Sequence, residues 1–253
     1  MKIISWNING IRAALAKGIA DFLQGEKADI VCLQEIKIGE AAREKINITF
    51  PGYQIYWNSA ERPGYSGTAV LVRTGLKDVA VKNGLEEPLY DREGRVQVIS
   101  CPDFYLLNVY FPNANGELSR LPYKLQFNSY LLNFVKKLEK EKPVMITGDF
   151  NVAHEQIDIA RPKANEGSAG FTLEERNWFT KLLAAGYLDS FRLLYPDKIQ
   201  YSWWSFRGGA RFRNVGWRID YFVISAKLRT KIKKAYILDQ VQGSDHAPVG
   251  IEL

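Results

Sequence analysis

A chain of 253 residues with 46% hydrophobic content has ample material for a packed core, and no apolar run approaches the roughly 20 residues of a membrane-spanning helix. Met1-Lys2-Ile3-Ile4 enters a strand-like run at once, so no secretory leader is expected, and the cytoplasm or nucleoid is the expected compartment. The formal charge of +6, with six Trp and 13 Tyr, suits a polyanionic partner such as nucleic acid as well as it suits a merely basic surface.

The predicted elements begin with a strand over Lys2–Trp6. Ile11, Leu15, Ile19 and Phe22 then recur at helical spacing. Ile30–Leu33 reads as a strand, and Gly67–Val72, Arg95–Cys101 and Phe104–Phe111 follow as strands with only turns between them. Leu125, Leu131, Leu132, Val135 and Leu138 line a helix ending in the solvated stretch Lys136–Lys142. A strand over Val144–Thr147 comes next. Thr172-Leu173-Glu174-Glu175 is a capping box that opens a helix burying Trp178, Phe179, Leu182 and Leu183. Ile219–Ile224 and Val249–Leu253 complete the strands. The mixture excludes a pure βαβ repeat and suits two packed mixed sheets with helices outside them, in one α/β domain over 1–253. The two halves follow similar logic, as a pseudo-symmetric pair of sheets would. Cys32 and Cys101 lie in apolar runs without a C-x-x-C pairing, so reduced core thiols are expected rather than a disulfide or a zinc site.

Polar residues repeatedly cap the ends of these runs: Trp6-Asn7-Ile8-Asn9, Gln34-Glu35, Gly148-Asp149-Phe150-Asn151 and Gly243-Ser244-Asp245-His246. A carboxylate at Glu35 is costly to bury alone. It reads either as a ligand of a hard divalent cation, with Asn7 and Asp245 as further oxygen donors, or as the ion-pair partner of Lys37. Asp149 and Asn151 occupy alternate positions, on one side if the segment is extended. Asp149 could then take a proton from water while Asn151 donates to a phosphate oxygen; the same residues also suit a simple turn. Tyr110 and Asn113 are neutral donors suited to a developing oxyanion. Asp220 interrupts an apolar run and needs a partner. His246, one of only two histidines, is the candidate, and the pair would hold a cationic imidazole toward a phosphate. Ser244-Asp245-His246 is no hydrolase triad, since sequence neighbours on an extended segment face opposite ways. No P-loop, Gly-x-Ser-x-Gly elbow or dinucleotide fingerprint is present.

Taken in order, Ile4-Ser5-Trp6-Asn7-Ile8-Asn9-Gly10-Ile11-Arg12-Ala13, Cys32-Leu33-Gln34-Glu35-Ile36-Lys37, Gly64-Tyr65-Ser66-Gly67, Asn108-Val109-Tyr110-Phe111-Pro112-Asn113, Gly148-Asp149-Phe150-Asn151-Val152-Ala153-His154, the segment Asn214–Phe222 and Gly243-Ser244-Asp245-His246 resemble the exonuclease III / apurinic-apyrimidinic endonuclease family. Each motif alone is weak; the ordered set is specific and spans the chain. The resemblance implies a four-layer α-β-β-α sandwich of two mixed sheets like that of DNase I. It implies hydrolysis, with Mg²⁺ or Mn²⁺, of the phosphodiester 5′ to an abasic site, leaving a 3′-hydroxyl and a 5′ deoxyribose phosphate, together with 3′→5′ exonuclease and 3′-phosphatase activity. The partner would be double-stranded DNA with abasic sites or 3′ blocks, bound by a monomer.

By the same resemblance, Glu35 is the principal metal ligand, helped by Asn7, with Asp245 as a further carboxylate. Asp149 positions or deprotonates the water. Asn151, Tyr110, Asn113 and His246 hold the phosphate, and Asp220 orients His246. Trp203, Trp217 and Ile219 form an apolar pocket for the flipped-out sugar. Arg12, Ala13, Lys17 and Tyr65 contact the DNA backbone. His154 reads as structural. Three positions depart from some members: Asn9 stands for Asp, Gly116 for an Arg that enters the duplex, and Arg207 for Met, which makes Arg207 a candidate wedge. Relatives of the same fold cut undamaged or uracil-containing DNA or hydrolyse small phosphoesters, and those substrates stay open.

Overall fold

Alternate side chains of Lys2–Asn7 (β1) leave on opposite faces, as the period of a strand dictates, and both faces are apolar because both are covered. Ile3 enters one hydrophobic cluster; Ile4 and Trp6 enter another. The same split recurs along the strand Ile30–Gln34 (β2), where Ile30 and Cys32 face one way, Val31 and Leu33 the other. In the computed structural model, which describes residues 1–253, this pattern builds four layers.

The remaining strands are β3 (Tyr53–Asn58), β4 (Thr68–Arg73), β5 (Ala80–Asn83), β6 (Val96–Ser100), β7 (Tyr105–Tyr110), β8 (Val144–Asp149), β9 (Tyr187–Asp189), β10 (Asp220–Ser225), β11 (Lys234–Ile237) and β12 (Val249–Glu252). They form two six-stranded sheets, ordered β11-β12-β1-β2-β4-β3 and β5-β6-β7-β8-β10-β9. In each sheet a single parallel pair, β1 with β2 or β7 with β8, is flanked by antiparallel strands on both sides. The expected pseudo-symmetry is thus visible in the topology. Ile3, Ile30, Cys32 and Val70 of one sheet meet Ile99, Leu106, Met145 and Phe222 of the other in the shared core. Helices Ile11–Ala16 and Ile19–Glu26 cover the outer face of the first sheet, and helices Leu121–Leu138 and Leu173–Ala184 that of the second.

Four strands were not foreseen: β3, β5, β9 and β11. All four are sheet edges. β5, β9 and β11 have four residues or fewer and β3 is only partly buried, so none carries an apolar run to read. The single predicted helix through Ile11–Phe22 is two helices, broken where Gly18 turns through φ 88°. The capping box is present as read: Thr172 Oγ1 accepts from the Glu175 amide and Glu175 Oε2 from the Thr172 amide, each at 3.2 Å. Cys32 and Cys101 are free and buried, and no helix is long and apolar enough to cross a membrane.

Between the sheets the interior changes character along the strands. Toward the C-terminal ends of the parallel pairs it becomes polar: Gln34 Nε2 donates to Ser5 Oγ (3.0 Å) and, across to the second sheet, to Asn108 Oδ1 (2.7 Å). Asn108 Nδ2 returns bonds to the carbonyls of Leu33 and Ala69 at 3.2 and 3.1 Å. These buried bonds tie the sheets together just beneath the strand ends, and a tied, desolvated network of this kind fixes registry as apolar packing alone does not.

Candidate active site

Strands running parallel end at the same edge of their sheet, and side chains just past those ends converge over it. Here two sheets do this together. Asn7 ends β1, Glu35 follows β2, Tyr110 ends β7 and Asp149 ends β8; Asp220 opens the antiparallel β10 directly opposite Asp149 in register. His246 precedes β12, and its carbonyl accepts from Trp6 Nε1 at 3.0 Å. The backbone passes through the left-handed region at Asn9 (φ 48°), Glu35 (53°), Lys37 (49°) and Asn151 (50°), a concentration of strained non-glycine residues at one mouth. Gly148 makes the approach of β8 to β7 feasible, since a Cβ there would lie 1.9 Å from the Val109 carbonyl oxygen.

The side chains line a cavity of about 320 Å³ containing Asn7, Glu35, Tyr110, Asn113, Asp149, Asn151, Asp245 and His246, with Trp203, Trp217 and Ile219 forming its apolar wall. Every residue expected to act in chemistry lines it except Asp220, which stands behind His246. Asp220 Oδ2 lies 2.9 Å from His246 Nδ1 and also accepts from Ser202 Oγ at 2.6 Å. His246 Nε2 is 3.8 Å from Asp149 Oδ2. Burial would strip the proton from His246, but Asp220 first and Asp149 second outweigh it and hold its pKa well above the ordinary histidine value. With both ring nitrogens facing carboxylates, the imidazole is held toward its charged form. Asp149, Asp220 and His246 thus form a buried cluster whose polar atoms lie within 4.8 Å of one another.

Asp149 is pushed up chiefly by burial, with Asp220 and Glu35 adding to the effect while His246 and the Asn151 amide oppose it; its carboxyl sits above the usual carboxylate range. Asn7 Nδ2 donates to its Oδ2 at 2.9 Å and the Asn151 amide to its Oδ1 at 2.8 Å. Asp149 and Asn151 share one side through this left-handed turn, the turn reading rather than the extended one; the two-residue return gives the same convergence. Asn151 Oδ1 accepts from Asn113 Nδ2 at 2.9 Å. Tyr110 is raised well above the usual phenol value, by burial first and Glu35 second, and its hydroxyl donates to Glu35 Oε1. Ser244 Oγ donates to the Asn7 carbonyl at 2.8 Å, which leaves the serine as a structural link.

On the other side of the cavity the donors are hard oxygens. Glu35 Oε2 lies 3.2 Å from Lys37 Nζ, which also donates to Asn9 Oδ1. The ion pair and the metal-ligand readings of Glu35 are thus not exclusive: the Lys37 ammonium rests on the oxygens that a cation would use. Asn9 Nδ2 donates to Asp245 Oδ1 (2.9 Å) and Trp203 Nε1 to Asp245 Oδ2 (3.0 Å). His246 and these two bonds outweigh burial and keep Asp245 below the usual carboxylate range, as an anion. Carboxylates and amide oxygens with no sulfur or free imidazole fit Mg²⁺ or Mn²⁺.

A family model described as the Endonuclease/Exonuclease/phosphatase family matches residues 4–246. The chain belongs to that family. It is 47% identical over 251 residues to an exodeoxyribonuclease of Bacillus subtilis, covering 98% of each chain. It is 43% identical to the DNA repair nuclease APEX1 of Danio rerio over 100% of this chain and 82% of that one. An AP endonuclease from Leishmania major superposes with a TM-score of 0.90 at 32% identity, over 99% of this chain and 86% of that one.

The residues expected to touch DNA backbone lie outside the cavity in this member of the family. Arg12, Ala13 and Lys17 are exposed around the first two helices. Arg95 Nη2 and Arg120 Nη1 both donate to Tyr65 Oη, so the phenol keeps its O–H for an outside acceptor. Arg207 is exposed in a tight turn ahead of Gly208 and Gly209, and the Lys17 ammonium lies 5.9 Å from the ring centre of its neighbour Phe206. His154, stacked on Phe179 and 2.8 Å from Thr180 Oγ1, is structural. Two contributors escaped sequence reasoning. Ser202 steadies Asp220, and no local pattern marks it. Arg95, fully buried with its guanidinium 4.6 Å from the Tyr110 ring centre, was signalled only by a cation heading an apolar run.

Proposed function

We propose that this chain is a divalent-metal-dependent DNA repair nuclease that cleaves the backbone 5′ to abasic sites, and that the same site serves 3′→5′ exonuclease and 3′-phosphatase reactions. The names of its relatives support the nuclease class. The observation that carries the finer reading is the composition of this one cavity: Asp149 and His246 on one side, hard oxygen donors on the other, and Trp203 and Trp217 in its apolar wall.

Trp203 and Trp217 meet edge to face, ring centres 5.8 Å apart at 85°, with Ile219 beside them. That wall suits a sugar lacking its base, which costs little to extrude from the duplex. Asp149, raised by its surroundings, orients the attacking water and takes its proton as the oxygen bonds to phosphorus. The His246 cation, with the amides of Asn113 and Asn151, stabilises charge growing on the non-bridging oxygens. The P–O3′ bond breaks, and the departing 3′ oxygen takes a proton from solvent water, leaving a 3′-hydroxyl and a 5′ deoxyribose phosphate. Glu35, Asn7 and Asp245 would hold the metal, which when bound supplies Lewis-acid polarisation of the phosphate and relief of charge on the departing oxygen.

The test is nicking of an abasic duplex in Mg²⁺, beside undamaged and uracil-containing duplexes. Asp149→Ala and His246→Ala should each lose on the order of 10²–10⁴ in rate. Nicking by these variants at the parent rate would refute the assignment, and equal cleavage of all three duplexes would move the substrate to DNA in general.

A further inference from the structure

Two fully buried opposite charges stand behind the site without entering it. Lys124, on helix Leu121–Leu138, and Glu175, in the first turn of helix Leu173–Ala184, are both wholly shielded and pair at 2.6 Å. Desolvating two ions offsets most of their attraction, and apolar side chains of similar volume would serve stability as well. Their other bonds give the pair a different role. Lys124 Nζ donates to the backbone carbonyl of Asn151 at 2.7 Å. Glu175 Oε2 accepts from the amide of Gly170 at 2.8 Å, and from the amide and hydroxyl of Thr172 at 3.2 and 2.8 Å.

Asn151 and Gly170 are both walls of the cavity. Gly170 has φ +84°, and a Cβ there would lie 3.0 Å from Trp217 Cζ3 and 3.2 Å from the Asn151 carbonyl oxygen. Gly170 therefore sits close against both Asn151 and Trp217, and the buried pair is bonded to the backbone of Asn151 and Gly170. Neither charge reaches the cavity surface. Burial depresses the Lys124 pKa, and Glu175 beside it opposes that effect.

We propose that Lys124 and Glu175 are positioning residues: their pair sets the distance between the phosphate-binding turn at Asn151 and the apolar wall at Gly170 and Trp217, and so keeps the reacting phosphate in register with the pocketed sugar. The inference rests on the abasic-site reading of that pocket.

The double variant Lys124→Met/Glu175→Gln removes both charges at nearly constant volume, and Lys124→Arg keeps the cation. Each is assayed well below its own Tm on abasic and undamaged duplexes. The double variant should lose about 10–100-fold in kcat on the abasic duplex, since small misplacements remote from the chemistry have effects of that size. KM should change little, and the abasic-over-undamaged rate ratio should shrink. Lys124→Arg should recover most of the loss. A lowered Tm with kcat and the ratio unchanged would overturn the proposal, because a merely structural pair predicts that result. If the double variant fails to fold, Glu175→Gln alone is judged by the same two readouts. If the parent itself does not prefer the abasic duplex, the pocket reading falls instead, and the pair is judged on kcat for the duplex the parent cuts.

Discussion

Replacing Asp220 by Asn tests the source of the His246 cation. The substitution keeps an oxygen that can accept from His246 Nδ1 and Ser202 Oγ, so the ring keeps its orientation while losing its anion. At 2.9 Å, two opposite unit charges attract by about 6 kcal/mol at an effective dielectric of about 20. At about 1.4 kcal/mol per factor of ten, that is roughly four orders of magnitude in proton affinity. Asp149, 3.8 Å from Nε2, remains and preserves part of the elevation. A histidine with a raised pKa carries its charge at every pH below that value and loses it as pH rises through it. In the parent the loss falls well on the alkaline side; in Asp220→Asn it should fall near neutrality. The alkaline limb of kcat/KM should therefore move to lower pH, with the variant crippled at pH about 8 and much closer to the parent at pH about 6. The chain has only two histidines, so the imidazole signals in a nitrogen-correlated NMR titration can be assigned with one further variant, His154→Gln. A His246 ring in Asp220→Asn that stays charged through pH about 9, or a pH profile superimposable on that of the parent, would refute this account.

Trp217→Ala should reduce kcat/KM on abasic DNA by about 10–100-fold while changing cleavage of undamaged DNA less, because it removes pocket wall and not donors; competition between the two duplexes reads this directly. Affinity for duplex should fall linearly in log–log coordinates with salt, and Arg12→Ala/Lys17→Ala should flatten the slope by about 2, measured by fluorescence anisotropy. Asp158 is buried between Arg218, at 2.8 Å, and Arg192, and its pKa is lowered by their charges despite burial. Its contribution to stability is present above the unfolded carboxylate value near 3.9 and lost as pH falls through its lower folded value. Asp158→Asn should therefore cost about 3–5 kcal/mol in denaturant unfolding at pH 7 and much less near pH 2.

The layers were legible because the central strands carry uninterrupted apolar runs, and the site because a polar residue terminates each of them: Asn7, Glu35, Tyr110 and Asp149 mark four strand ends in the sequence itself. What stayed hidden depends on distance in the chain. Asn7 meets Asp149 across 142 residues and Gln34 meets Asn108 across 74, so no window could show either bond. Nothing in the sequence singled out Lys124, and Glu175 read as half of a capping box. Only the packed structure shows that they share a bond. The turn at Asn151 was one of two readings open in the sequence, since Gly-Asp-x-Asn fits extended backbone and a turn alike.

The placement of β12 between β1 and β11 has a consequence for folding. Lys2 pairs with Glu252, so the first sheet closes only through contacts between segments about as far apart as this sequence allows. Long-range pairing of that kind meets its loop-closure entropy before any contact rewards it, which makes it slow to form. Asp245 and His246 lead into β12, so the cavity takes its final shape only once that strand has docked.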